Sequence, residues 1–257
     1  MPIHHRDDIR YFQFDNLKVR HAIFTRQGGS SPEPWSSLNV GGTVGDDLAR
    51  VRANRNLSLE ALGCAPESVF DVWQVHGTDV VCAHAPRPEG ESLRQADIIL
   101  TDKCDLTLYM RFADCVPILF HDARKGVVGV AHAGWRGTLR DVARSTVDAM
   151  IKNYGSNPAD IVAGIGPSIG PDHYEIGSDV ILQVMQKFGD ESELFLKSHN
   201  GKIHFDLWKT NKVLLEQAGV GKIEVAEICT ACHTADWFSH RAEKGRTGRF
   251  GALISLQ

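Results

Sequence analysis

Residues 126–155 read GVVGVAHAGWRGTLRDVARSTVDAMIKNYG, and how this stretch folds decides the fold class. A run of valines and small residues ends at His132, a short turn presents Trp135 and Arg136, and an amphipathic stretch follows. In that stretch Leu139, Val142, Ala143, Val147, Met150, Ile151 and Tyr154 share one helical stripe. Thr138 and Asp141 are spaced as a capping box, and Gly155 is placed as the stop. The pattern predicts a strand that hands over to a helix starting at Thr138. Elsewhere, short runs rich in Val, Ile and aromatics recur: RYFQF, HAIFT, VFDVWQVH, ADIILT, LTLYMRF, VPILF, IVAGI, KIEVAEI and GALISL, each bounded by Gly, Asp or Asn. Further helices are expected near Asp47 to Leu62, Ser178 to Phe188 and Leu207 to Ala218. Strands outnumber helices and do not alternate with them regularly. That favours an α/β (α+β) class with mixed β-sheets and helices outside over a doubly wound parallel fold.

The chain has 257 residues, 42% hydrophobic and 23% charged, which is ordinary for a folded protein with a sizeable core. With neither an internal repeat nor a low-complexity linker, one catalytic domain over residues 1–257 is expected. The net charge is −4 with a pI near 6.3. Without a basic block, nucleic acid and anionic membrane surfaces are poor partners. No apolar stretch approaches the ~20 residues that span a bilayer, and the opening MPIHHRDDIR has no hydrophobic signal region, so a cytoplasmic location is expected. Its six cysteines then read as reduced thiols rather than a disulfide frame. The Pro/Gly/Ser-rich segment from Gly28 to Gly45 is long for a connection and is a candidate functional loop.

Three strand-like runs end on soft ligand types beside turn residues: WQVHGTD at His76, RFADCVPI at Cys115 and VAHAGWRG at His132. Two imidazoles and a thiolate make a good partial set for zinc, with a fourth position left for water or substrate. The plainer reading is a buried thiol and two hydrogen-bonded histidines, because free cysteine is among the most buried residue types. Around His132, the expected helix entrance from Gly134 to Thr138 favours an anion, and Arg136 adds a fork of donors. Within RFADCVPI, a fully extended backbone would point Asp114 and Cys115 to opposite faces, although Pro117 suggests a bend. CTACH at 229–233 matches the haem-attachment pattern of exported proteins, which the absence of a signal disfavours. Its Cys229/Cys232 pair is half of a structural zinc site with no second pair beside it. GIGPSIGP at 164–171 lacks the phosphate-loop lysine and reads as a turn. FSHRAEKGRTGRF, with Arg241, Arg246 and Arg249, reads as a solvated basic loop.

The chain resembles the YfiH family of bacterial proteins, also called the multicopper polyphenol oxidase or laccase-domain family. The motifs that carry the resemblance run nearly end to end: FTRQGGSS, SLNVGG, VGDD, QVHGTDV, ADCVPILF, VAHAGWRGT, IGPSIGPDHYEIG, ICT, FSHR and TGR. It implies mixed sheets sandwiched between helix layers, distantly similar to toxin-type cysteine hydrolases. It also implies that His76, Cys115 and His132 are both catalytic residues and zinc ligands, with copper possible. The implied function is phosphorolysis of adenosine, inosine and methylthioadenosine, together with adenosine deamination. Arg26, Arg136 and Arg249 are then candidate anion ligands, Asn39 and Gln74 further substrate-binding candidates, and Asp114 or His132 the candidate proton shuttle. Copper-dependent polyphenol oxidation fits less well: a multicopper centre uses many histidines in H-x-H pairs, and the twelve histidines here form none. A Cys115–His132 hydrolase acting on an amide or a cell-wall peptide is the other reading. The expected partners are a small-molecule purine nucleoside and phosphate, and the sequence leaves monomer and homodimer both open.

Overall fold

The computed structural model describes residues 3–88 and 90–256. Two six-stranded sheets dominate. The first has the order β1 (Ile3–Arg6), β2 (Ile9–Phe12), β3 (Arg20–Phe24), β14 (Phe250–Ser255), β7 (Thr107–Phe112) and β4 (Val69–Asp71). The second has the order β13 (Lys222–Val225), β10 (Ile161–Ile165), β8 (Val116–Asp122), β9 (Val127–Ala133), β6 (Ile98–Thr101) and β5 (Val80–Cys82). Both are mixed: β4 with β7, β10 with β13 and β5 with β6 run parallel, and the other pairs antiparallel. A small hairpin, β11 (Leu196–His199) and β12 (Lys202–Phe205), stands apart from them.

Strand alternation builds the layers. Along β9, Val128 and Val130 point between the two sheets, where they meet Met110 and Leu108 of β7 and Ile254 of β14. Val127, Ala131 and Ala133 point the other way, under α3 (Val142–Tyr154), α4 (Ser178–Phe188) and α5 (Leu207–Gln217). On the far side, Leu59 of α1 (Leu48–Ala61) packs against Tyr109 and Leu253 of the first sheet. The result is the expected arrangement of mixed sheets between helix layers, built here from two six-stranded sheets. Both central strands β8 and β9 are buried along their whole length, which is why they read as continuous apolar runs.

The helix after His132 departs from its sequence reading. Two helices replace one: α2 (Trp135–Leu139) ends at Arg140, and α3 starts only after Asp141. Asp141 adopts a left-handed conformation (φ 65°) and its carboxylate accepts the Arg144 N–H, so Asp141 rather than Thr138 is the cap. Thr138 is buried instead, and its Oγ1 accepts a hydrogen bond from Asn211 Nδ2 at 3.1 Å. Gly155 ends α3 in the left-handed region, as expected. VFDVWQVH also yields less strand than predicted: only Val69–Asp71 pairs as β4, and the rest turns toward His76.

Candidate active site and metal centre

The connection between the two sheets places the thiol. β7 leaves the first sheet at Phe112 and β8 enters the second at Val116, so Cys115 lies on the crossover. The conflict over Asp114 is resolved by backbone conformation: its φ of 80° breaks the extended geometry, and Asp114 and Cys115 both reach the same cavity wall. Asp114 is held there by Thr230 Oγ1, which donates to Oδ1 at 2.7 Å, and by the Arg241 N–H, which donates to Oδ2 at 2.7 Å. Each carboxylate oxygen thus accepts one hydrogen bond.

Alternation along β9 turns His132 to the inter-sheet face of Val128 and Val130, opposite Pro117 on β8. His76 comes from the loop after β4 and also sits at positive φ (61°). One side chain organises both imidazoles. Asp97, fully buried just before β6, accepts backbone N–H groups from Val75 (3.1 Å), His76 (3.0 Å) and Gly77 (2.6 Å), and bonds His132 Nδ1 at 2.7 Å. Burial alone would raise its pKa. The bonds from His132, Gly77 and Val75 hold it below the usual carboxylate value. Asp97 therefore supports the His76 turn and fixes the His132 ring with Nε2 turned toward Cys115.

The donor atoms of His76, Cys115 and His132 all lie within 4.8 Å of one another, with His76 Nε2 3.8 Å from Cys115 Sγ. Tetrahedral zinc with ordinary Zn–N and Zn–S bonds needs donors ~3.3–3.8 Å apart, so small adjustments suffice. Gly134 completes the fit: a Cβ there would come within 2.8 Å of the His76 ring and 3.0 Å of Cys115 Sγ. Without a metal, the electrostatics pair a thiolate with a protonated imidazole, whose proton a zinc ion would displace. Burial alone would push the Cys115 thiol up, but the charge and hydrogen bond of His132, with help from His76, bring it down to about 6. Burial alone would lower His132, but the Cys115 thiolate and Asp97 raise it to about 9.

The three donors face a cavity of about 500 Å³, within the range that takes a small organic ligand. Its walls include Trp73, Phe112 and Tyr174, and its cationic side chains are Arg111, Arg241 and Arg249. The glycine-rich segment reaches it through Gly41, Gly42 and Thr43. This segment is braced by Asn54 of α1, whose amide donates to Ser31 Oγ, Ser37 O and Asn39 O at 2.8–3.1 Å.

Of the remaining sequence candidates, the cavity takes Arg249 and Gln74, although the Gln74 amide is occupied by both backbone groups of Arg111. Asn39, Arg26 and Arg136 lie outside its lining. Asn39 is fully buried, bonding Gly41, Asp46 and the Arg249 N–H. Arg26 is committed to Ser36 O, Thr234 O and Glu243, with its guanidinium over Phe238. Arg136 stacks on its own Trp135 and lines a separate groove with Gln183 and Lys187, so the anion grip expected beside His132 is not there. The C-terminal basic segment corrects in the opposite direction: Arg249 and the exposed Arg241 line the cavity, and Arg246 is exposed outside its lining. Asp97 and Arg111 carry no sequence signal beyond residue type, and Tyr174 and His240 only their place in the motifs IGPSIGPDHYEIG and FSHR.

Residues 20–257 match the family described as multi-copper polyphenol oxidoreductase laccase. A purine nucleoside phosphorylase of Deinococcus radiodurans is 39% identical, over 94% of this chain and 90% of its own. The purine nucleoside phosphorylase YfiH of Escherichia coli is 34% identical, over 90% of this chain and 91% of its own. The crystal structure of YlmD from Geobacillus stearothermophilus is similar with a TM-score of 0.90 at 34% identity, covering 98% of both chains. That of the Bacillus licheniformis hypothetical protein YfiH gives 0.89 at 33%, covering 98% of this chain and 97% of the other. With matches of this length, on top of a mixed-sheet sandwich that gathers His76, Cys115 and His132, the chain belongs to the YfiH family, the laccase-type family that the YlmD proteins share.

Proposed function

We propose that this protein is a zinc-dependent purine nucleoside phosphorylase that cleaves adenosine, inosine or methylthioadenosine with phosphate, and that it deaminates adenosine in the same pocket. The observation that carries this reading is the convergence of His76, Cys115 and His132 on the wall of a cavity that also offers aromatic faces and guanidinium groups. Its relatives' names supply the substrate class.

In this reading His76, Cys115 and His132 hold the zinc, and Asp97 fixes the orientation of the set. When bound, zinc supplies Lewis acidity and a coordination position open to substrate or water. The rest falls to the side chains. Arg249 and Arg241 hold the phosphate dianion near the ribose, which lowers the entropic cost of bringing two reactants together. Trp73 offers a ring face to the purine. As a phosphate oxygen bonds to C1′, the C–N bond to the base breaks, and the purine leaves with the electron pair and takes up a proton. The Tyr174 phenol, whose pKa burial pushes up, stays protonated through neutral pH and is placed on the cavity wall to provide one. The test incubates purified protein with adenosine and follows adenine, inosine and hypoxanthine by chromatography. Adenine release that depends on phosphate supports the reading, and equal release without phosphate, or no turnover at all, overturns it.

A second reading rests on Asp97, His132 and Cys115 as orienting acid, base and nucleophile, the order of a cysteine hydrolase. It requires that metal-free protein retain hydrolytic activity on an amide, and that zinc inhibit it.

A further inference from the structure

The CTACH segment is not absorbed by the cavity, and its missing partners are supplied by the turn 166–177. There, two consecutive residues, Asp172 and His173, project onto the cysteine pair. Cys229, Cys232, His173 and Asp172 each bring a donor atom within 4.8 Å of the other three. His173 Nδ1 is 3.4 Å from Cys232 Sγ, 3.8 Å from Cys229 Sγ and 3.0 Å from Asp172 Oδ2, while Asp172 Oδ2 is 3.2 Å from Cys232 Sγ. These separations match the ~3.3–3.8 Å edges of a tetrahedral zinc site, with the carboxylate slightly close. The backbone holds the two segments in register. The Ser168 N–H donates to Ile228 O and the Thr230 N–H to Ser168 O, both at 3.1 Å. The Gly170 N–H donates to Cys229 Sγ at 3.2 Å, the kind of outer bond that steadies a metal-bound thiolate.

We propose that Cys229, Cys232, His173 and Asp172 form a second metal site, a closed set of four protein ligands suited to zinc, which fastens the turn 166–177 to the segment after β13. Two thiolates, an imidazole and a carboxylate leave no position for substrate, so the site is structural. Its effect on function passes through its neighbours. Tyr174 follows His173 directly and lines the cavity, and Thr230 lies inside the C-x-x-C pair and holds Asp114. The metal thereby fixes two parts of the cavity wall without touching substrate. The proposal does not depend on the reaction catalysed at His76, Cys115 and His132.

The test measures zinc per chain and cobalt spectra on the full-length protein. Wild type is expected to carry two zinc equivalents, and Cys232→Ser with His173→Ala, both at exposed positions, to carry one. Cobalt-loaded Cys115→Ser protein, which has no thiolate at the first site, is expected to keep sulfur-to-cobalt charge-transfer absorption, and to lose it when Cys232→Ser is added. The proposal is overturned if Cys232→Ser with His173→Ala retains the full wild-type zinc content. It is equally overturned if Cys115→Ser protein shows no sulfur-to-cobalt band, or if thiol counting finds Cys229 and Cys232 joined as a disulfide in freshly purified protein. Hydrogen exchange gives a readout should Cys115→Ser fail to fold: chelation of wild-type protein should speed exchange in residues 168–174, and unchanged exchange there would also refute it.

Discussion

Asp97 gathers three successive backbone N–H groups and the His132 ring onto one buried carboxylate, so its replacement disturbs both imidazoles. Asp97→Asn keeps the shape but offers one oxygen where two accept. Zinc affinity is expected to fall about 10- to 100-fold, measured by competition with a chelator. Gly134→Ala acts more directly, because its methyl would press on His76 and Cys115; the expected outcome is loss of zinc from this site with the fold retained, seen as reduced metal content and an unchanged circular dichroism spectrum. The thiol itself gives a pH signature. With Cys115 lowered to about 6, the thiolate of metal-free protein is present above that pH and is lost as pH falls through it. Alkylation by iodoacetamide should be half-maximal near pH 6 and level through neutrality. A midpoint at the ordinary thiol value near 8.5 would show that His132 does not stabilise the thiolate. The three donors were legible because each ends an apolar run beside turn residues. Asp97 was not, because a carboxylate preceding a strand is commonplace and its partners are fixed only by folding.

At the scale of elements, the break between α2 and α3 rests on Asp141. Asp141→Ala removes the cap and leaves a Cβ residue at positive φ without the local hydrogen bond, at an expected cost of about 1 to 2 kcal/mol by chemical denaturation. Asp141→Asn, which can cap and tolerates the left-handed region, should stay close to wild type. The sequence pattern carried α3's stripe and its stop at Gly155 but not its start, since the capping-box spacing at Thr138 is a local signal that burial against Asn211 overrides. The hairpin β11–β12 has a local sequence signal of its own. Its Asn200-Gly201 turn, with both residues at positive φ, is a strong short-range hairpin signal, though the flanking strand β11 is too exposed to form an apolar run.

At the scale of the whole molecule, the site exists because the chain changes sheets between Phe112 and Val116 while β9 and the loop after β4 converge on the same point. Mixed sheets with helices outside were legible from strand count and irregular alternation, and the layering of helices on both sides from the family resemblance alone. Cavity membership was not: Arg241 and Arg249 approach from a C-terminal segment that looks solvated in one dimension, and Arg136 is turned away by the short helix that carries it. A metal binding the native state alone stabilises it by mass action, by ~2.7 kcal/mol at a hundredfold excess over Kd. Chelation should accordingly lower the thermal midpoint, and added zinc should restore it. Adenosine cleavage in the presence of phosphate, by chelator-treated protein during a titration with zinc, tests the role of the three donors most directly. No turnover is expected without metal, recovery as zinc is added, and no recovery at any zinc level in His132→Ala. Wild-type turnover by the metal-free chain, or full recovery of His132→Ala, would contradict a zinc-dependent site at His76, Cys115 and His132.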